Sequence, residues 1–226
     1  MIAIWNRNKL DKLFPPCSTS NFSECASNRN RNNVIVSFAQ FRPEKDHLMQ
    51  IRIMERIKKK FGNEVELHMI GGVRDTQQDK DFFTNLQNEI DKRKLNDVIK
   101  MFPNDSIAHI KNEFMNARIG IHTMKNEHFG ISIIEMMSAG LIVIAHNSAG
   151  AKDDIIGPSK VPVGYLVEDE DHYVKTIESI INSTQYDMKS LMERMTNSIE
   201  RSKMFSDDAF LNEFMNMFNH KMMPLI

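Results

Sequence analysis

The sequence has little of what usually announces a protein's class. Cysteine occurs only twice, as Cys17 and Cys25. That rules out a disulfide framework and a four-cysteine zinc site, and the expected compartment is a reducing one. Charge of one sign is also missing. The 29 Lys and Arg stand against 30 Asp and Glu, so nothing global points to nucleic acid or an anionic membrane. No apolar run approaches the roughly 20 residues of a membrane helix. The longest, around Ile131–Ile134 and Leu141–Ala145, are of core size. The opening MIAIWNRNKL lacks the apolar core and cleavage site of a signal peptide. The sequons at Asn21, Asn104 and Asn182 are therefore read as chance. There is no G-x-S-x-G elbow, no Walker lysine loop and no G-x-G-x-x-G.

What is present is a chain of 226 residues with 17 methionines. That is enough for one large or two small domains, with a core whose irregular gaps Met can fill. Residues 1–32, with PPCSTSNFS and SNRNRNN, hold no sustained period and read as an irregular linker or edge segment. From residue 33, strands and helices alternate. NVIVSFA, EVELHMIGG, DVIKMF, RIGIHT and LIVIAH read as buried strands, and GYLV as a possible last one. Between them lie helical stripes such as Leu48, Ile51, Met54 and Ile57, then a helix capped by Ser106, then one over Phe129–Ala139. A Rossmann-like domain is expected over 33–185. Closing helices are expected over 186–226, at 187–202 and 206–222.

Such alternation predicts an α/β fold, a Rossmann-like parallel sheet with helices on both faces. Ligands of this architecture sit beyond the carboxyl ends of the strands, at helix N-termini. The turns there are the candidate site. FAQFRPEKDH places Arg42 and Lys45 at a helix start, where two cations oppose the macrodipole. They are either an exposed basic pair or partners of an anion. GGVRD, with Gly72, permits close approach. NEHFGISIIE sets Gly130 at a helix start whose amides can donate to phosphate. Glu127 stands at the mouth, and Glu135 lies about one and a half turns into the helix. Glu135 is flanked by Ile133, Ile134, Met136 and Met137. A carboxylate there either accepts two ribose hydroxyls or pairs with a Lys or Arg at the core edge. The spacing E-x7-E does not decide this, because Glu170 and Glu178 repeat it. His122 and His128 flank the turn without a third ligand at metal spacing and suggest local hydrogen bonding. Asp153-Asp154 reads as a cap.

Together these turns resemble the donor-sugar half of the GT-B retaining glycosyltransferases of family 4. Within that family, HTMKNEHFGISIIEMMSAGLIVIAHNSAGAKDDII, with AQFRPEKDH and LFPPC upstream, is similar to the dolichol-linked-oligosaccharide α-1,2-mannosyltransferases of asparagine-linked glycosylation. The likeness runs from about Pro15 to Gly164 and more loosely to the C-terminus. It implies GDP-mannose as donor, no metal or other cofactor, and a dolichol-diphosphate oligosaccharide as acceptor at the cytosolic face of the endoplasmic reticulum. It further implies that Glu127 lies near the sugar hydroxyls and that Glu135 holds the ribose. The amides of Phe129, Gly130 and Ile131 would meet the diphosphate, and Lys45 would stabilise it as it leaves, with Arg42 reaching the same phosphates. The family's usual arginine position is occupied here by Gln40, and Lys125 stands where the subfamily has tryptophan. Met101–Ser106 is the region expected to read the base. The resemblance covers one half of a two-domain enzyme. The chain is accordingly expected to be a fragment, with acceptor site and membrane association supplied by a missing N-terminal domain. The helix over Asp207–His220 would cross back to that domain. The alternatives are a non-catalytic nucleotide-sugar or protein-binding module, or a family-4 enzyme with another donor.

Overall fold

In a computed structural model of the chain, which describes residues 12–28 and 30–219, the alternation closes into one six-stranded sheet. The strands are β1 (Asn32–Phe38), β2 (Glu66–Gly71), β3 (Ile99–Pro103), β4 (Ala117–His122), β5 (Ile142–His146) and β6 (Tyr165–Val167). All pairs are parallel, in the order β3-β2-β1-β4-β5-β6. The helices are α1 (His47–Phe61), α2 (Gln77–Lys92), α3 (Ile107–Asn116), α4 (Ile131–Ser138), α5 (Glu170–Ile181), α6 (Gln185–Ser202) and α7 (Asp207–Met217). This is the α/β architecture that the sequence predicts, and GYLV supplies the sixth strand.

The strands bury both faces, and alternate residues divide between two cores. Ile35, Leu67, Met69, Ile119, Ile121, Ile142 and Ile144 pack with the apolar stripes of α1, α2 and α5. Val34, Val36, Ile70, Val143 and Ala145 pack on the other face with α4, Phe22, Phe114 and Phe205. Six helices start beneath a side-chain cap: Asp46, Thr76, Ser106, Asp169, Thr184 and Ser206 each accept a first-turn amide. Helix α4 is the exception. Its N-cap is Gly130, at φ 110°, with no side chain over its amides.

The segment expected as a linker is irregular in backbone but well packed. Residues 1–11 and 29 of it lie outside the described residues. Cys17, Phe22 and Cys25 are 2 % exposed or less. Arg31, 7 % exposed, uses its guanidinium as a clamp. Nε donates to Asn28 O at 3.1 Å. One terminal nitrogen donates to Phe114 O and Ala117 O at 2.8 and 2.7 Å, and the other to Cys25 O and Ala139 O at 2.9 and 2.7 Å. All five donors of the fork are thus used.

Of the two closing helices, α6 lies against α4. Arg194 donates to Gly164 O and Arg201 to the carbonyls of Asp154 and Ile155. Helix α7 buries no residue, and Leu211, Phe214 and Met215 are exposed. Residues 220–222 of the expected last helix lie outside the described residues.

Candidate functional site

Strand order reverses between β1 and β4, and a parallel sheet has its crevice at such a point. A cavity of 530 Å³ lies there. Gln40 and Lys45 after β1 line it, with Gly71 at the end of β2, Gly72 after it and residues 127–130 after β4. Ile131, Ser132 and Glu135 of α4 complete one wall, and Pro15 another. Of the residues expected at the site, the cavity gathers Lys45, Gly72, Glu127, Phe129, Gly130, Ile131 and Glu135.

Arg42 is not among the residues that line the cavity. The following Pro43 holds Arg42 in extended backbone, φ −137° and ψ 150°. Its side chain lies 3.9 Å from Glu44 and near Asp79, beside the start of α2. Gln40 faces the cavity instead. Nor does Met101–Ser106 line the cavity. Asn104 braces the loop after β2 by bonding both the amide and the carbonyl of Val73.

Lys45 ends a short helical turn before α1, and its Nζ donates to Glu127 Oε2 at 2.5 Å. His122, the last residue of β4, places Nε2 3.3 Å from the same oxygen. These two partners hold the Glu127 carboxyl at about 2, the imidazole first and Lys45 second, against burial, which pushes it up. The Lys45 contact is the better formed. Neither His122 nitrogen meets the alignment of a hydrogen bond. Behind the pair, Thr123 Oγ1 donates to Lys45 O at 2.7 Å, and Gln50 Nε2 donates to Thr123 Oγ1 at 2.8 Å.

The Glu127 turn is held from below by AHNSAG. Asn126 N donates to Ser148 Oγ at 2.9 Å, and Gly150 N donates to Glu127 O at 2.8 Å. Asp46, Asn126 and Ala149 all have positive φ, so backbone strain gathers around the cavity. A Cβ on Gly150 would lie 2.2 Å from Phe129 O, so only glycine permits this approach. Gly150→Ala is expected to cost about 2 kcal/mol or more, read as a lower urea midpoint. An unchanged midpoint would contradict the close packing.

Glu135 is different. Among the described residues its carboxylate has no cation and no donor, so the core-edge ion pair weighed above is not formed. Burial alone pushes it from 4.5 to about 7. The other E-x7-E pair is neutralised at the surface. Glu170 meets Arg52 at 2.9 Å and Glu178 meets Lys60 at 2.7 Å. Placement, not spacing, separates the two. The uncapped amides of Ile131 and Ser132 open at the same cavity as Glu135.

The Cys17 thiol is pushed up to about 12 by burial, with Glu135 and Asp207 adding to it, and stays protonated. Asp154 pairs with Lys12 rather than forming a dyad with Asp153. Among the described residues no group of three His, Cys, Asp or Glu is placed to hold a metal ion. Phe129 turns its ring into a cluster with Phe14 and Phe205, with centroids 5.5 and 5.6 Å away. The sequence missed Gln40 and the support from Gln50, Thr123 and Ser148. Only the string AHNSAG signalled any of this.

Residues 21–201 match the family model described as "Glycosyl transferases group 1". Among curated proteins, the chain is 31 % identical over 220 residues to the "GDP-Man:Man(3)GlcNAc(2)-PP-Dol alpha-1,2-mannosyltransferase" of Mus musculus, covering 93 % of this chain and 44 % of that protein. It is 35 % identical to the protein of the same name from Xenopus laevis, covering 90 % and 42 %. Among solved structures, it superposes on a glycosyltransferase from Rickettsia africae with a TM-score of 0.76 and 20 % identity, covering 94 % of this chain and 57 % of the other. Anabaena HepE in complex with UDP and glucose gives 0.74 and 18 %, covering 95 % and 58 %. The chain thus spans less than half the length of the curated relatives and little more than half of the solved chains.

Proposed function

The chain belongs to the group 1 glycosyl transferases, and on that premise we propose that it is the donor-binding half of a retaining GDP-mannose α-1,2-mannosyltransferase. The transferred mannose goes to a dolichol-diphosphate-linked oligosaccharide at the cytosolic face of the endoplasmic reticulum. The curated relatives carry that donor and acceptor in their names. Acceptor recognition and membrane attachment are placed in the part of the relatives' length that this chain does not align with. Among the described residues no helix is long and apolar enough to cross a membrane.

The observation that carries the reading is Glu135, a part-buried carboxylate that lines the cavity without a partner. An unpaired carboxylate in such a place is stabilised by hydroxyl donors, and a ribose presents two of them side by side. The diphosphate lies against the uncapped start of α4, where backbone amides and the helix dipole favour an anion. Lys45 releases Glu127 and turns to the β-phosphate. As the anomeric carbon–oxygen bond lengthens, negative charge grows on that phosphate. The ammonium and the amides then stabilise the departing diphosphate without a metal. Glu127 accepts hydroxyls of the mannose and fixes the sugar for attack by the acceptor hydroxyl.

Calorimetric titration of the chain with GDP, GDP-mannose and UDP, with a chelator present, tests this. Both guanosine ligands are expected to bind at least about tenfold more tightly than UDP, a difference of about 1.4 kcal/mol, and to be indifferent to the chelator. Equal or stronger binding of UDP would point to another donor. Loss of binding with the chelator would refute the metal-independent scheme. A folded chain that binds none of the three would favour a module without donor function.

A further inference from the structure

We propose that His122 is a positioning residue for Glu127, and that it takes over this carboxylate when Lys45 is drawn to the diphosphate. The inference rests on the donor-site reading above. It starts from an unsatisfied group. His122 is 3 % exposed, and both of its ring nitrogens lack a hydrogen-bond partner. A buried imidazole left in that state is costly unless its partner arrives in another state of the protein.

The backbone that carries the ring is fixed. His122 pairs with Ala145 across β4 and β5, and its carbonyl accepts from the buried Tyr173 hydroxyl at 2.7 Å. What stands before it is Glu127 Oε2, 3.3 Å from Nε2 and already held by Lys45 at 2.5 Å. One oxygen therefore has two claimants, and in the ligand-free protein the lysine has the better geometry. The two differ in freedom. Lys45 sits on a long flexible stem at the cavity wall and can swing to a phosphate. His122 ends a central strand and stays. Once the ammonium leaves, the imidazole is the only side chain among the described residues still within reach of Glu127. A small rotation of the carboxylate closes the 3.3 Å gap to an aligned bond. Glu127 thereby keeps the orientation in which its other oxygen meets the sugar.

The contact acts on the sugar, so it is read as a difference between two ligands. Affinities for GDP and GDP-mannose are measured by calorimetry on the chain, on His122→Phe and on His122→Gln. The Phe variant keeps the ring volume without the nitrogens, and the Gln variant can place an amide nitrogen near Nε2. Affinity for GDP-mannose is expected to fall about ten times further than affinity for GDP in His122→Phe. His122→Gln is expected to recover most of that difference. His122→Leu carries the same expectation and keeps the test open if the phenyl ring is not accommodated. Folding of each variant is checked by its thermal transition. An equal loss of both ligands, or no loss of either, in a folded variant overturns the role of His122 while leaving the donor site intact. An unmodified chain that binds neither ligand overturns the donor site itself, and this inference with it.

Discussion

Arg31→Met is expected to lower the stability of this chain by about 4 kcal/mol, the largest loss foreseen for a single side chain. Five carbonyls give the reason. Phe114 O lies in the last turn of α3, Ala139 O at the end of α4, Ala117 O at the start of β4, and Cys25 O and Asn28 O in the packed N-terminal segment. The carbonyl ends of α3 and α4 carry negative partial charge, which the guanidinium meets. Methionine fills the space but leaves these acceptors without the fork. Removing one side of a buried charged network costs about 3–5 kcal/mol. Lysine does not replace it, because three donors on one point cannot serve five acceptors in a plane. In a domain of this size about 4 kcal/mol corresponds to a fall in melting temperature of roughly 8–16 °C. Chemical denaturation of both variants checks this. An Arg31→Met protein within about 1 kcal/mol of the parent would contradict the clamp.

Glu135→Gln is expected to do two opposite things. Without ligand it stabilises the protein at alkaline pH. The folded-state carboxyl titrates near 7 rather than at 4.5. Between those values the folded chain therefore holds a proton that the unfolded chain has lost, and stability falls as pH rises. Above pH 7 the ionised carboxylate costs about 2–3 kcal/mol, allowing for its partial exposure. Glutamine does not ionise. The variant should unfold at higher urea than the parent at pH 8 and at the same urea near pH 4. A difference that does not change with pH would remove burial as the cause. With ligand the sign reverses. Loss of the ionised acceptor is expected to weaken GDP binding about 100-fold, or about 2.7 kcal/mol. Affinity of the parent should rise with pH up to about 7 and then level off, because only the ionised carboxylate accepts both hydroxyls. Stability given up at an unpaired group and recovered on binding is the mark of a functional position.

Much of this was legible before any coordinates. The strands of a two-sided parallel sheet are continuous apolar runs, and NVIVSFA and LIVIAH are such runs. The uncapped start of α4 was readable as well, because Gly130 stands where the other helices carry Asp, Ser or Thr. Glu135 was conspicuous because four apolar residues flank it. What escaped were contacts with no local signature. Arg31 sits in SNRNRNN, which is polar enough to pass for a linker, yet three of its acceptors lie 83, 86 and 108 positions away. That Arg42 stands outside the cavity lining was not readable either, because charge alone says nothing of the direction that Pro43 imposes on the backbone before it. His122 and Ser148 gained their meaning only when β4 and β5 brought HTM and AHNSAG together beneath Glu127.

The central claim is that Glu135 holds the ribose of a nucleotide, and a double cycle tests it most directly. GDP and 2′,3′-dideoxy-GDP are titrated against the chain and against Glu135→Ala, with all four affinities measured at pH 8. If the carboxylate and the hydroxyls meet, removing either costs about 100-fold and removing both costs little more than removing one. If the two losses multiply, or if the dideoxy nucleotide binds the unmodified chain as tightly as GDP, the carboxylate does not touch the ribose and the donor-site account is wrong.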